Sequence, residues 1–196
     1  VQKYILATKP EASQFIIDEM MPKSDSIVQV ARHKYGCRIV LDQTHLYASL
    51  GERGDRDDAQ DPTRHAGAVI RLFHDGSIPA DNPKLAGWAP ELFSKGHRNP
   101  QGLAINPETG VIWAHEHGPR GGDEINIIQA GQNYGWPKVS HGEEYGGGSI
   151  GSGTKAPGLI DPVWVWTPSI APSAAAACHP CAWTPSAAGL RGAFAA

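Results

Sequence analysis

The chain has few cysteines. Cys37, Cys178 and Cys181 are an odd number without framework spacing, which argues against a small domain stapled by disulfides. Cys178 and Cys181 form C-x-x-C, but no βαβ pattern surrounds them, so the pair reads as chance in a biased tail. An excess of positive charge is also missing: the net charge is -3, which leaves no basic footprint for nucleic acid. No apolar run approaches the ~20 residues of a membrane-spanning helix. Helical periodicity is scarce, and Pro90-Glu-Leu-Phe93 amounts to one turn at best. Val1 is followed by neither a basic segment nor an apolar leader, so no signal peptide is recognisable and the start reads as trimmed.

Glycine (23), proline (16) and tryptophan (6) are plentiful instead, a mixture that favours short strands and turns. Strand-turn-strand units recur. Arg38–Leu41 and Leu46–Leu50 flank a turn at Asp42–Thr44, and Ala68–Phe73 runs into an Asp-Gly turn at Asp75-Gly76. Leu103–Asn106 and Val111–Ala114 flank Pro107–Gly110. Ile125–Ile128 precedes a turn at Ala130–Asn133, and Val163–Trp166 alternates near the end. Such a chain is all-β: a sandwich, a barrel or a propeller. At ~40–50 residues per propeller blade the length corresponds to about three to four blades, too few to close a common ring. From Ala174 the alternation stops and Ala, Pro, Ser and Gly dominate. The expected division is a β domain over 1–173 and a tail over 174–196 that is disordered or frame-shifted.

Three stretches hold residues suited to chemistry. Glu116–Glu124 gathers carboxylates around glycines and a proline. Glycine lets the backbone aim carbonyls inward, and calcium takes six to eight oxygens, but the EF-hand spacing is missing and a polar hairpin connection stays open. His115-x-His117 could touch a transition metal, although alternate strand residues share a face without closing a site. Gly96–Gly102 offers the planar donor fork of Arg98 with the amides of Asn99 and Gln101; a structural corner is the alternative. Asn133–Pro137 places Tyr134 and Trp136 around a tight turn, as core or as the wall of a flat ligand.

Taken together, GHRNPQGL, EHGPRGGDEIN and GQNYGWP, in this order and spacing, resemble the soluble pyrroloquinoline quinone (PQQ)-dependent sugar dehydrogenases. This is the glucose/sorbosone dehydrogenase family, and the aldose sugar dehydrogenase branch is the nearest match. LGERGDRDDAQD and DGSIPADNP add to the resemblance, which covers about Lys34 to Ser173. It implies a six-bladed β-propeller of the quinoprotein glucose dehydrogenase type, present here in part, with PQQ and calcium in its central depression. On that pattern Arg98, Asn99 and Gln101 bind PQQ and Tyr145 faces it. The Gly118 and Pro119 carbonyls hold the calcium that polarises PQQ. Glu124 and the Tyr134 carbonyl hold a second, structural calcium. An aldose would lose its C1 hydroxyl proton to a base and its hydride to the quinone, giving the lactone. An external acceptor would reoxidise the cofactor, in the periplasm or outside the cell, and a homodimer is compatible with this.

The chain departs from the pattern at the base. The family segment is H-[FY]-G-S-R, with the base four residues before the Arg. Here Arg32-His-Lys-Tyr-Gly-Cys-Arg38 puts Lys34 at that spacing and His33 one position earlier. Histidine is the expected base, since its pKa lies near neutrality. The family's first blade, with a cofactor-contacting Gln, would precede Val1, and further cationic contacts would follow Ser173, so a fragment is expected. A non-catalytic, calcium-stabilised propeller module and an inactive gene remnant remain the alternatives.

Overall fold

The structure is a computed structural model that describes residues 36–173 and 175. His33, Lys34, the Cys178–Cys181 pair and nearly all of the expected tail lie outside the described residues. Among the described residues nine strands form two sheets: β1 (Cys37–Leu41), β2 (His45–Leu50), β3 (Ala68–Phe73), β4 (Leu92–Lys95), β5 (Pro100–Ile105), β6 (Ile112–Glu116), β7 (Asp123–Ile128), β8 (Gln132–Asn133) and β9 (Trp164–Trp166). The first sheet has the order β1-β2-β3-β4-β8 and the second β5-β6-β7-β9. All neighbours are antiparallel except β8, which runs parallel to β4. The chain is all-β with the up-and-down sheets of a propeller. The length-based count of about three to four blades compares with two sheets among the described residues.

Turn chemistry sets the register. Asp42 Oδ1 accepts the N–H of Thr44 (2.7 Å) and of His45 (2.5 Å), closing the β1–β2 hairpin. Asn106 Oδ1 does the same for Glu108 and Thr109 between β5 and β6. Period-two alternation then sorts the side chains. Leu46, Ala48 and Leu50 pack with Ala68, Ile70, Leu72 and Leu92 on one face of the first sheet. Tyr47 and Val69 face the other way, against Leu103, Ile112, Ala114 and Ile128 of the second sheet. The two sheets therefore share a core, and the Gly96–Asn99 turn that carries the chain from β4 to β5 lies at their junction.

Two local expectations change. Pro90–Phe93 is not a helical turn: Leu92 begins β4, pairs with Ile70 and is fully buried, and that burial outweighs a single turn of helix. The segment at 130–133 is more than a turn, because Gln132 and Asn133 pair with Ser94 and Lys95. Cys37 is a free cysteine; burial pushes its thiol up to about 11, against the pull of Arg38 and Arg53, which keeps it protonated at neutral pH. Among the described residues no helix is long and apolar enough to cross a membrane.

Candidate functional site

Arg98, Gly118, Glu124 and Tyr134 line one cavity, although they come from the β4–β5 turn, the 117–122 loop, β7 and the segment after β8. Its interior offers about 20 Å³ to the centre of a water-sized sphere. That is room for a single ion or water, so a tricyclic quinone would have to lie outside it.

Arg98 is only 4% exposed. Its Nη1 donates to the carbonyls of His117 (2.8 Å) and Gly118 (2.7 Å), and Nη2 reaches Tyr145 Oη at 3.4 Å. Its Nε is buried without a hydrogen-bond partner. The guanidinium lies 5.2 Å from the Trp136 ring centroid, and Arg56 lies 5.3 Å from the same ring. Trp136 is thus a buried support for two cations. Tyr134 stacks on His97, with centroids 4.6 Å apart, and its hydroxyl donates to the Ile127 carbonyl. Both aromatics of the expected wall, Tyr134 and Trp136, are thus buried, whereas Tyr145 is 70% exposed.

The glycines of the 117–122 loop are a packing requirement. A Cβ on Gly118 would meet the carbonyls of Gly121 and Gly122, and Gly122, at φ +71°, has the Gly142 backbone where its own Cβ would sit. Gly122→Ala is expected to cost at least about 2 kcal/mol, since left-handed strain and a backbone collision add. At ~2–4 °C per kcal/mol for a chain of this size, the melting temperature should fall by at least about 4 °C. A melting curve within a degree of wild type would contradict this account.

Asp123 carries none of the loop's free charge. It is fully buried, and its carboxylate accepts from Gly118 N (2.9 Å), Ser169 Oγ (2.6 Å), Ile170 N (2.9 Å) and Ala171 N (2.8 Å). Glu124 is held less tightly: Asn126 Nδ2 donates a weak bond to its Oε2 at 3.4 Å. Glu124 is half-buried and lines the cavity. Burial pushes its carboxyl up to about 8, the Glu116 charge adds to the rise, and the Asn126 bond opposes it. For Glu116 burial also acts upward, but the contact with His97 and the N–H groups of Arg98 and Asn99 hold it below the ordinary carboxylate range. A hard cation beside Glu124 would supply the missing counter-charge. Among the described residues no group of three His, Cys, Asp or Glu side chains converges on a metal position. The donor set here is carboxylate and carbonyl oxygen, which suits calcium and not zinc.

Asn99, Gln101, Pro119 and His115 lie apart from the cavity wall, whereas His117 lines it. Asn99 Oδ1 accepts from Gly36 N (3.0 Å) and Gln101 Nε2 (3.3 Å), which joins the β4–β5 turn to the segment ahead of β1. Pro119 is buried beside Gly142. His115 and His117 do not act as a pair: His115 is buried in β6 against Gly102, while His117 Nε2 contacts the Pro172 carbonyl at 2.8 Å. Two residues absent from the candidate set, His97 and Glu116, turn out to be central. A lone carboxylate closing the apolar strand IWAHE was the available signal.

The family model described as Glucose / Sorbosone dehydrogenase matches residues 9–186. The aldose sugar dehydrogenase YliI of Escherichia coli (strain K12) is 46% identical over 144 residues, covering 71% of this chain and 39% of its own length. The crystal structure of the soluble aldose sugar dehydrogenase from Escherichia coli in the apo-form superposes with a TM-score of 0.67 at 46% identity, covering 70% of this chain and 41% of that one. The PQQ-bound aldose sugar dehydrogenase from Streptomyces coelicolor gives a TM-score of 0.58 at 37% identity, covering 74% and 39%. The chain spans about two fifths of the length of the curated relatives it matches.

Proposed function

The chain belongs to the glucose/sorbosone dehydrogenase family, and we propose that it takes part in PQQ- and calcium-dependent oxidation of an aldose at C1 to the lactone. The observation that carries this reading is the buried Arg98, with an unpartnered Nε, on the wall of an ion-sized cavity that also includes Glu124. When bound, PQQ supplies the hydride acceptor and calcium polarises it. The chain's own residues do the rest. Arg98 presents a fixed positive charge where negative charge develops. Asn99 and Gln101 extend its polar edge, and Tyr145 offers an aromatic face beside it. The carbonyl of Gly118 accepts one bond from Arg98 and keeps a second lone pair, so with the Pro119 carbonyl it could serve a cation as well. Glu124 and the Tyr134 carbonyl would hold the structural cation. His33 would take the C1 hydroxyl proton, with Lys34 at the strict family spacing. Residues 1–173 would form the domain. The remaining elements of the proposal are an external electron acceptor, a periplasmic or secreted location and a homodimer.

The test is dye reduction by the purified chain with glucose and other aldoses, with and without PQQ and calcium. Turnover that needs both, and that His33→Ala abolishes, is the expected result. PQQ binding without turnover selects the non-catalytic module, and absence of PQQ binding removes the cofactor reading.

A further inference from the structure

We propose that Glu116 is a positioning residue: its buried carboxylate fixes the backbone of Arg98 and Asn99 and so aims the Arg98 side chain at the cavity. What Arg98 binds rests on the function proposed above; how its backbone is held does not.

Glu116 ends β6 and is 4% exposed. Its Oε2 accepts the successive N–H groups of Arg98 (2.5 Å) and Asn99 (3.4 Å). Its Oε1 accepts from Asn126 Nδ2 of β7 (3.2 Å) and lies 3.0 Å from His97 Nδ1. His97 is itself fixed: it is fully buried, its Nε2 is 2.9 Å from Ser94 Oγ, and its ring stacks on Tyr134. One carboxylate therefore joins the end of β6, the β4–β5 turn and β7.

The surroundings call for acceptors on both oxygens. Backbone N–H groups face one and the Asn126 amide faces the other, so a glutamine would have to turn its NH2 toward a donor. Two consecutive N–H groups on a single oxygen also fix the peptide planes around residue 98. With those planes fixed the Cα–Cβ direction is fixed, and the long side chain then meets the His117 and Gly118 carbonyls. The turn has a further tie, the Glu52 N–H on the Arg98 carbonyl (3.0 Å), so Glu116 is expected to control its direction more than its existence.

The test compares wild type, Glu116→Gln and His97→Phe in the full chain by two readouts: amide hydrogen exchange without cofactor, and PQQ affinity in the presence of calcium. In Glu116→Gln the amides of Arg98 and Asn99 should exchange at least about tenfold faster while Leu103, Ala114 and Ile125 keep their protection. PQQ affinity should fall about tenfold or more, the size of one lost charge-assisted contact. His97→Phe keeps a ring on Tyr134 and removes the nitrogen beside Glu116, so it should show the same pattern in weaker form. Wild-type exchange at Arg98 and Asn99 in both variants overturns the proposal. Protection lost evenly through β5, β6 and β7 also overturns it, because Glu116 would then be a general structural residue. If wild type binds no PQQ, the cofactor reading fails, and exchange at these two amides alone decides the positioning role.

Discussion

Asp123→Ala is expected to destabilise the chain by about 2–3 kcal/mol. The carboxylate gathers four donors, from Gly118, Ser169, Ile170 and Ala171, in a place with no access to water. Its removal breaks all four bonds; Ser169, Ile170 and Ala171 are exposed and can turn their donors to water, so the cost is that of the lost charge-assisted bonds and not of four orphaned donors. The 169–171 segment and the 117–122 loop have this side chain in common, so the damage should concentrate there. Asp123→Asn keeps one oxygen but turns an NH2 toward three donors or toward Gly118 N, and is expected to recover little. Denaturant unfolding at neutral pH is the measurement. A midpoint shift equivalent to under about 1 kcal/mol would show that the loop is held by other contacts.

Arg98→Lys is expected to weaken PQQ binding about a hundredfold while leaving most of the fold intact. The guanidinium reaches two carbonyls through one nitrogen, approaches Tyr145 through another, keeps Nε unsatisfied, and lies over the Trp136 ring. An ammonium preserves the charge but loses the planar fork and the stacking. Where the fork serves the proposed cofactor with two charge-assisted contacts, their loss at about 1.5 kcal/mol each amounts to roughly two orders of magnitude in affinity. A spectroscopic titration of wild type and variant with PQQ and calcium reads this directly. Equal affinity within about threefold would mean that Arg98 is a structural clamp on the His117–Gly118 carbonyls and that the cofactor contacts lie elsewhere. The comparison with Glu116→Gln is informative, because that change leaves the guanidinium in place and alters only its aim.

Much of the fold was legible because its signals are local. Alternation in His45–Leu50 and Ala68–Phe73 needs no partner to be recognised, and Asp42, Asp75 and Asn106 mark turns through bonds to their own neighbours. The parallel pairing of Gln132 and Asn133 with β4 was not legible, since it depends on a strand about forty residues earlier. Pro90–Phe93 misled for the same reason: Leu92 is a strand residue because Ile70 lies opposite it.

The site divides along the same line. From sequence alone came the membership of Arg98, Gly118, Glu124 and Tyr134 in one candidate set, because residue order and spacing carry a family pattern. The tertiary structure decided what each does. It assigned Asp123 to loop closure, made Trp136 a buried support, separated His115 from His117, and brought Glu116, His97 and Asn126 together behind the Arg98 turn. The physical reason is that a carboxylate has the same chemistry wherever it stands in a chain. Whether it binds a cation, closes a loop or aims a neighbour depends on which donors the fold places within about 3 Å of it.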